Sequence, residues 1–339
     1  MQQSHFRITC LACCAFLALS IASAAWSDDL PPAEDLPPAA EDAFSLVVLP
    51  DTQAYTSNEQ GHAYFTAETQ WIVDHLQSQR IVFVTHVGDI VGENVAEAWA
   101  LAKAAMDRLH GKVPYGFSVG NHDMQESGDS TLFQQTFPAS RFERFAWYGG
   151  EIKNNANSFQ LFSAGGLDFI ILHLECNAPD DMLDWANEVL QHHAGRRVII
   201  TTHMYLGPIE KPSTREGYLT DPKGRMRWKK CHGEKGNTPE QMWEKCFRKH
   251  ENLFLVLCGD QGSSQAMRRT VQGVHGNVVH EVLSDYRKGY MRVMRFKPAE
   301  NKLQIWTYSP YLKRICPGTS IVADPDQHQF SLDYDMMVQ

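Results

Sequence analysis

Ser118-Val119-Gly120-Asn121-His122-Asp123 is the stretch on which the reading of this chain turns. It closes the apolar run Val113 to Val119 and, after a glycine, presents an amide, an imidazole and a carboxylate. A buried strand whose carboxyl end opens into a loop carrying chemistry has this form. Asn121 offers an amide oxygen that a metal can take. His122 can move a proton near neutral pH, and Asp123 can hold that ring in one tautomer.

Upstream, the same design occurs twice. Phe44 to Leu49 is continuously apolar, as a strand buried on both faces must be, and it ends at Pro50-Asp51-Thr52-Gln53. Residues 61–79 follow with Phe65, Ile72, Val73 and Leu76 spaced for one buried helical face. Ile81 to Val87 is the next apolar run and ends at Gly88-Asp89; a second helix is expected from Ala96 to Leu109. Strands alternating with helices imply an α/β fold built on mainly parallel sheets, with helices on the outer faces. In such sheets ligands bind beyond the carboxyl ends of the strands.

Downstream, residues 124–157 form a long excursion rich in Phe and Arg, expected to cover the site. Strands are expected at Ser158 to Phe162 and Phe169 to Leu174, a helix at Met182 to His193, and a strand at Arg197 to Thr202 that ends at His203. Residues 207–237 are polar, basic and broken by Pro and Gly, which suits an insertion near the mouth of a site. Thr238-Pro239-Glu240 has the cap and first-turn proline of a helix start. Phe254 to Leu257 leads into Cys258-Gly259-Asp260-Gln261. Val278 to Leu283, Tyr290 to Phe296 and Leu303 to Tyr308 then follow without helices, as antiparallel strands completing a second sheet would.

The chain has 339 residues and a formal net charge of −9, which argues against a nucleic-acid backbone as its partner but not against a small phosphorylated substrate beside a metal. Arg7, the apolar run Ile8 to Ile21 and Ala22-Ser23-Ala24 read as a signal peptide over residues 1–25. The expectation is a secreted or periplasmic protein with no stable membrane anchor after cleavage. Residues 26–43, with two Leu-Pro-Pro steps and several acids, read as a linker, and residues 44–335 as one catalytic domain. Beyond the signal segment, Cys176, Cys231, Cys246, Cys258 and Cys316 leave at least one thiol unpaired; Cys231 with Cys246 is the expected pair. His86 and His173 lie inside apolar runs and read as core histidines. Gly116-Phe117-Ser118-Val119-Gly120 matches a serine nucleophile elbow, but such an elbow opens directly onto a helix, and this one does not. Arg225, Arg227, Lys229 and Lys230 form either a solvated face or an attractor for a phosphorylated substrate.

Collected together, the strand ends present Asp51, Gln53, Asp89, Asn121, His122, His203 and Asp260: oxygen and imidazole donors without a thiolate. Such a set suits one or two divalent ions, Mn, Fe, Zn or Mg. The order Asp-x-x, Gly88-Asp89, Gly120-Asn121-His122-Asp123, a lone His203 and Gly259-Asp260-Gln261 resembles the calcineurin-like metallophosphoesterase superfamily over about Phe44 to Tyr308. The resemblance implies a two-sheet sandwich and a two-metal site. Asp51 would bind the first metal, Asp89 would bridge, and Asn121 and His203 would bind the second. His122 would protonate the leaving oxygen, oriented by Asp123, while metal-activated water attacks a phosphomonoester or phosphodiester. Gln53 and Asp260 stand where the family pattern has histidines, and Gly262 where it has another. Asp260 would serve the second metal, Gln53 would offer a weak amide to the first, and the loss of imidazoles tilts preference to Mn or Mg. The same losses motivate the alternative of a binding or scaffold protein on this fold. Oligomeric state is not legible.

Overall fold

The computed structural model describes residues 35–262 and 265–336. The expected signal peptide lies outside them. Among the described residues no helix is long and apolar enough to cross a membrane.

Two seven-stranded sheets face each other. The first is centred on β1 (Phe44–Leu49), β2 (Ile81–His86) and β3 (Tyr115–Phe117), all parallel. The second contains β4 (Tyr148–Ile152), β5 (Asn157–Ala164), β6 (Leu167–His173) and β7 (Arg197–Met204). A two-stranded ribbon, β8 (Leu206–Pro208) and β9 (Lys223–Arg225), follows. The second sheet then resumes with β10 (Leu253–Gly259), β11 (Gln265–Gln272) and β12 (Val278–Asp285). β13 (Met291–Lys297) pairs antiparallel with β1, and β14 (Lys302–Ser309) pairs antiparallel with β13.

The expectation for the last strands is thus half corrected. β13 and β14 are antiparallel, but they extend the first sheet. β12 belongs to the second sheet and runs parallel to β10. An apolar run records that a strand is buried, not which sheet buries it.

β1 shows why these runs are continuous. Phe44, Leu46 and Val48 point between the sheets, against Phe169, Ile171, Leu255 and Met294. Val47 and Leu49 point outward, under α1 (Glu59–Asp74) and α2 (Ala96–Met106). α1 begins where Asn58 accepts a hydrogen bond from the Gly61 N–H at 2.8 Å, and it stops short of the expected residue 79. The 124–157 excursion folds around α3 (Thr131–Thr136), whose Phe133 is buried with Phe137 against Trp99 and Phe117. α4 (Asp180–His192) and α6 (Pro239–Lys245) cover the second sheet; a short α5 (Gly217–Thr220) lies between them in the chain. α6 starts at the expected cap, with Thr238 and Gln241 bonded reciprocally.

The linker boundary also moves. Leu36 is buried, Gln79 donates to its carbonyl at 3.1 Å, and Arg295 donates to the Pro37 carbonyl at 3.0 Å, so the end of the expected linker packs on the domain. The five cysteines are free thiols. The Cys231–Cys246 pairing is not formed: Cys231 neighbours Cys176, whose thiol is pushed well up by burial and by that neighbour, while Cys246 Sγ lies 3.9 Å from His250 Nε2.

His173 bridges the sheets from the second one. Its Nε2 lies 2.9 Å from Thr85 Oγ1, and Thr85 also contacts Thr201 Oγ1 at 2.9 Å. Burial, with His86 nearby, lowers the His173 pKa to about 3. A histidine kept neutral by the fold takes up a proton only on unfolding, so its stabilising effect is complete above about pH 6.5 and is lost as pH falls towards 3. His173→Gln removes that dependence. Between pH 6 and 4.5 the unfolding free energy of the parent protein should fall by about 2 kcal/mol more than that of the variant. Parallel pH profiles in denaturant titrations would refute this.

Candidate metal centre

Each parallel strand delivers one donor to a common rim. Asp51 follows β1 and Asp89 follows β2, and their carboxylate oxygens and a nitrogen of His203, on β7, all lie within 4.8 Å of one another. All three side chains are buried.

His203 is oriented for coordination. Its Nδ1 lies 2.8 Å from the Val87 carbonyl, which can only accept, so Nδ1 carries a hydrogen and Nε2 is the atom left facing the rim. Nε2 stands 3.1 Å from Asp89 Oδ1 and 3.6 Å from Asp260 Oδ1, and pairs with them when it is protonated. A buried imidazole nitrogen between two carboxylates marks a place where positive charge is favoured, carried by a proton or by a cation. Burial opposes a charged ring, but Asp89 and Asp260 outweigh it and raise the His203 pKa well above the usual value.

Backbone geometry makes this crowding possible. Asp89 and Asp260 adopt positive φ values of 50° and 75°, uncommon for residues bearing a Cβ. Gly120 has no substitute: a Cβ there would sit 2.2 Å from both Asp89 N and Asp89 Oδ1. The glycines of both motifs are therefore space for Asp89 and His203, since a Cβ on Gly88 would lie 2.7 Å from His203 Nδ1.

The Asn121 carboxamide meets Asp260 and Lys230. With its nitrogen toward Asp260 it donates to Oδ1 at 2.7 Å, and its oxygen accepts from Lys230 Nζ at 2.8 Å and from the His122 N–H at 3.2 Å. Turned the other way, two oxygens face each other, which a cation between them would favour. Asn121 thus lies beside Asp260, and Asp260 beside His203.

Two expectations are corrected. Asp123 does not orient His122. Its Oδ1 accepts from the Ile90 and Val91 N–H groups at 2.8 and 3.1 Å, and its Oδ2 from the Gly120 N–H at 2.8 Å. It ties the Asp89 loop to the Asn121 loop, because consecutive side chains in the turn leave in different directions. Burial, with repulsion from Asp89, raises the Asp123 pKa to about 7. The His122 ring is held instead by the Gly92 carbonyl, 2.9 Å from Nδ1. Gln53 does not aim its oxygen at a metal. Its amide nitrogen donates to Asp51 Oδ2 at 2.9 Å and lies 3.4 Å from Asp89 Oδ2, while its backbone N–H donates to Asp51 Oδ1 at 3.0 Å.

Asp285, at the end of β12, was not among the expected residues. It is 3% exposed, and its Oδ2 has no hydrogen-bond partner among the described residues. Its signal was present: the Val278 to Leu283 run ends in Ser284-Asp285, like the other donor-bearing strands. Read as antiparallel, β12 would have ended at the wrong rim. Burial, then repulsion from Asp285 and Asp89, raises the Asp51 pKa well above the carboxylate range.

The basic run divides. Arg225 is paired with Glu240 and Glu281, Arg227 with Glu210 and Lys229 with Glu234, whereas Lys230 turns into the site. A cavity of about 360 Å³ opens beside Asp260, lined by Lys211, Arg215, Tyr218, Trp228 and Lys230. A larger cavity of about 1390 Å³ lies at the opposite ends of the strands, around Arg197 and Leu253, and contains none of the rim donors.

The chain is 30% identical over 322 residues to the uncharacterized protein YvnB of Bacillus subtilis, covering 90% of this chain and 22% of that protein. It is 25% identical over 179 residues to purple acid phosphatase 23 of Arabidopsis thaliana, covering 44% of this chain and 38% of that protein. The chain therefore spans well under half the length of either relative. The structure of Haemophilus influenzae NAD nucleotidase matches with a TM-score of 0.43 and 12% identity, over 80% of this chain and 48% of that one. The calcineurin-like phosphoesterase family matches residues 44–235, from the first residue of β1 through His203 to the basic insertion. That is more than half of the sequence and takes in Asp51, Asp89, Asn121 and His203; the chain belongs to the calcineurin-like phosphoesterase family.

Proposed function

We propose that this chain is a metal-dependent hydrolase of small phosphomonoesters or phosphodiesters. The observation that carries this reading is the buried cluster of Asp51, Asp89 and His203, whose ligand atoms lie within 4.8 Å of one another, with His203 Nε2 facing Asp89 and Asp260. Asp51 and Asp89 would hold a first cation; Asp89, Asn121, His203 and Asp260 would hold a second. Oxygen and imidazole donors without a thiolate favour Mn or Mg. When bound, such cations neutralise phosphoryl oxygens and lower the pKa of an attacking water.

The chain's own groups supply the rest. The Gly92 carbonyl fixes the hydrogen of His122 on Nδ1. Nε2 is therefore the atom that gains and loses a proton, and in its protonated form it donates to the leaving alcohol oxygen. Asp123 fixes the two loops that carry Asp89 and His122. Gln53 holds the Asp51 carboxylate in place through two N–H donors. Lys230 Nζ, beside Asn121, offers positive charge to an incoming phosphate, and the cavity lined by Arg215 and Trp228 has room for the organic part of a small ester.

The test is direct. Purified protein is stripped with chelator, reloaded with Mn, analysed for bound ion and assayed for phosphate release from aryl mono- and diesters. About two ions per chain and Mn-dependent release are expected. Protein that takes up no ion, or that loads ions and releases no phosphate from either ester class, would refute the proposal and leave a binding role on this fold.

A further inference from the structure

We propose that Asp285 is a direct ligand of the cation held by Asp51. This rests on the function proposed above. The register places it there. β12 runs parallel to β10 with Leu283 opposite Cys258, so Asp285 and Asp260 leave neighbouring strands at the same level of the rim. Asp285 feels the charges of Asp260, His203, Asp89 and Arg287, and Asp51 in turn feels that of Asp285.

A structural role does not account for this carboxylate. Asp123 shows what such a role looks like here: buried, with both oxygens engaged by three backbone N–H donors. Asp285 is equally withdrawn from water, but its Oδ2 accepts no hydrogen bond among the described residues. Burying a carboxylate against three others is unfavourable unless something positive joins them. Lys230 reaches Asn121, and Arg225 and Arg269 are committed to Glu281, so none of these three basic side chains serves Asp285. A cation beside Asp51 needs more donors than the rim otherwise gives, because Gln53 turns N–H groups toward that position. Hard divalent ions take oxygen donors in numbers that Asp51 and Asp89 cannot supply alone.

The test compares the parent protein with Asp285→Asn, and with Asp123→Asn as a control. Bound Mn is counted after dialysis and followed by the loss of the free-ion spin-resonance signal on titration. Asp285→Asn should hold about one ion fewer per chain. In chelator at pH 8 it should melt no lower than the parent, because the substitution removes repulsion and no native hydrogen bond to Oδ2. Asp123→Asn should melt lower. Asp285→Asn that keeps both ions at unchanged affinity, or that melts below the parent without metal, overturns the assignment. If the parent loads two ions and hydrolyses esters while Asp285→Asn matches it, only Asp285 is misassigned. A parent that binds no ion overturns this inference and the function together.

Discussion

His122→Ala is expected to lower turnover of alkyl phosphate esters by about 10²–10⁴-fold, the usual range for a positioned general acid, or about 3–5 kcal/mol in the barrier. Cation content should not change, because the ring is bonded to the Gly92 carbonyl and not to the carboxylate cluster. The loss should depend on the leaving group. An alkoxide departs only with a proton, so it needs Nε2; a nitrophenolate is stable enough to leave without one. Plotting rate against leaving-group pKa should therefore give a much steeper line for the variant than for the parent. An equal loss for aryl and alkyl esters would remove His122 from the proton-donor role. Asp123→Asn should not reproduce this pattern, since its carboxylate bonds backbone N–H groups.

Gly120→Ala should abolish cation binding while adding a single methyl group. The new Cβ would stand 2.2 Å from Asp89 N and Oδ1. One of those atoms is backbone, so relief cannot come from a side-chain rotation. Asp89 is itself confined: its φ is 50°, its Oδ1 accepts from the His122 N–H at 2.9 Å, and the two residues after it are bonded to Asp123. The loop has to move as a whole, taking the carboxylate shared by both expected cations with it. The expected result is loss of bound Mn, activity at least 10²-fold lower, and about 1–3 kcal/mol of destabilisation from overpacking. Gly195→Ala is the control, because a Cβ there meets nothing within 4 Å. Full Mn content and unchanged stability in Gly120→Ala would refute the steric argument.

The parts of this molecule that were legible in the sequence share one physical origin. A strand buried on both faces is a continuous apolar run, and a polar residue closing such a run stands at a rim. Asp51, Asp89, Asn121, His203 and Asp260 were readable for that reason, and the structure brings them together. Strand direction was not readable, because burial says nothing of polarity or of which sheet accepts the strand. That is why the run Val278 to Leu283 suits an antiparallel strand as well as a parallel one, and its direction leaves Asp285 at either rim. Side-chain direction within a turn was equally hidden. Asp123 follows His122 immediately yet serves a different loop, and Gln53 offers hydrogens where its position suggested an oxygen. Arg292, fully buried in β13 and bonded to Ser284 and the Leu283 carbonyl, had no sequence signal at all.

The rim draws Asp51, Asp89 and Asn121 from one sheet and His203, Asp260 and Asp285 from the other. Any ion shared among them is a rivet through both layers of the sandwich. Its binding free energy then adds to the cohesion of the folded chain, in proportion to how far the free ion exceeds its dissociation constant. If the proposed function holds, scarcity of the ion would weaken the chain twice, once as a catalyst and once as a durable object, and proteolytic lifetime would report ion supply as faithfully as turnover does.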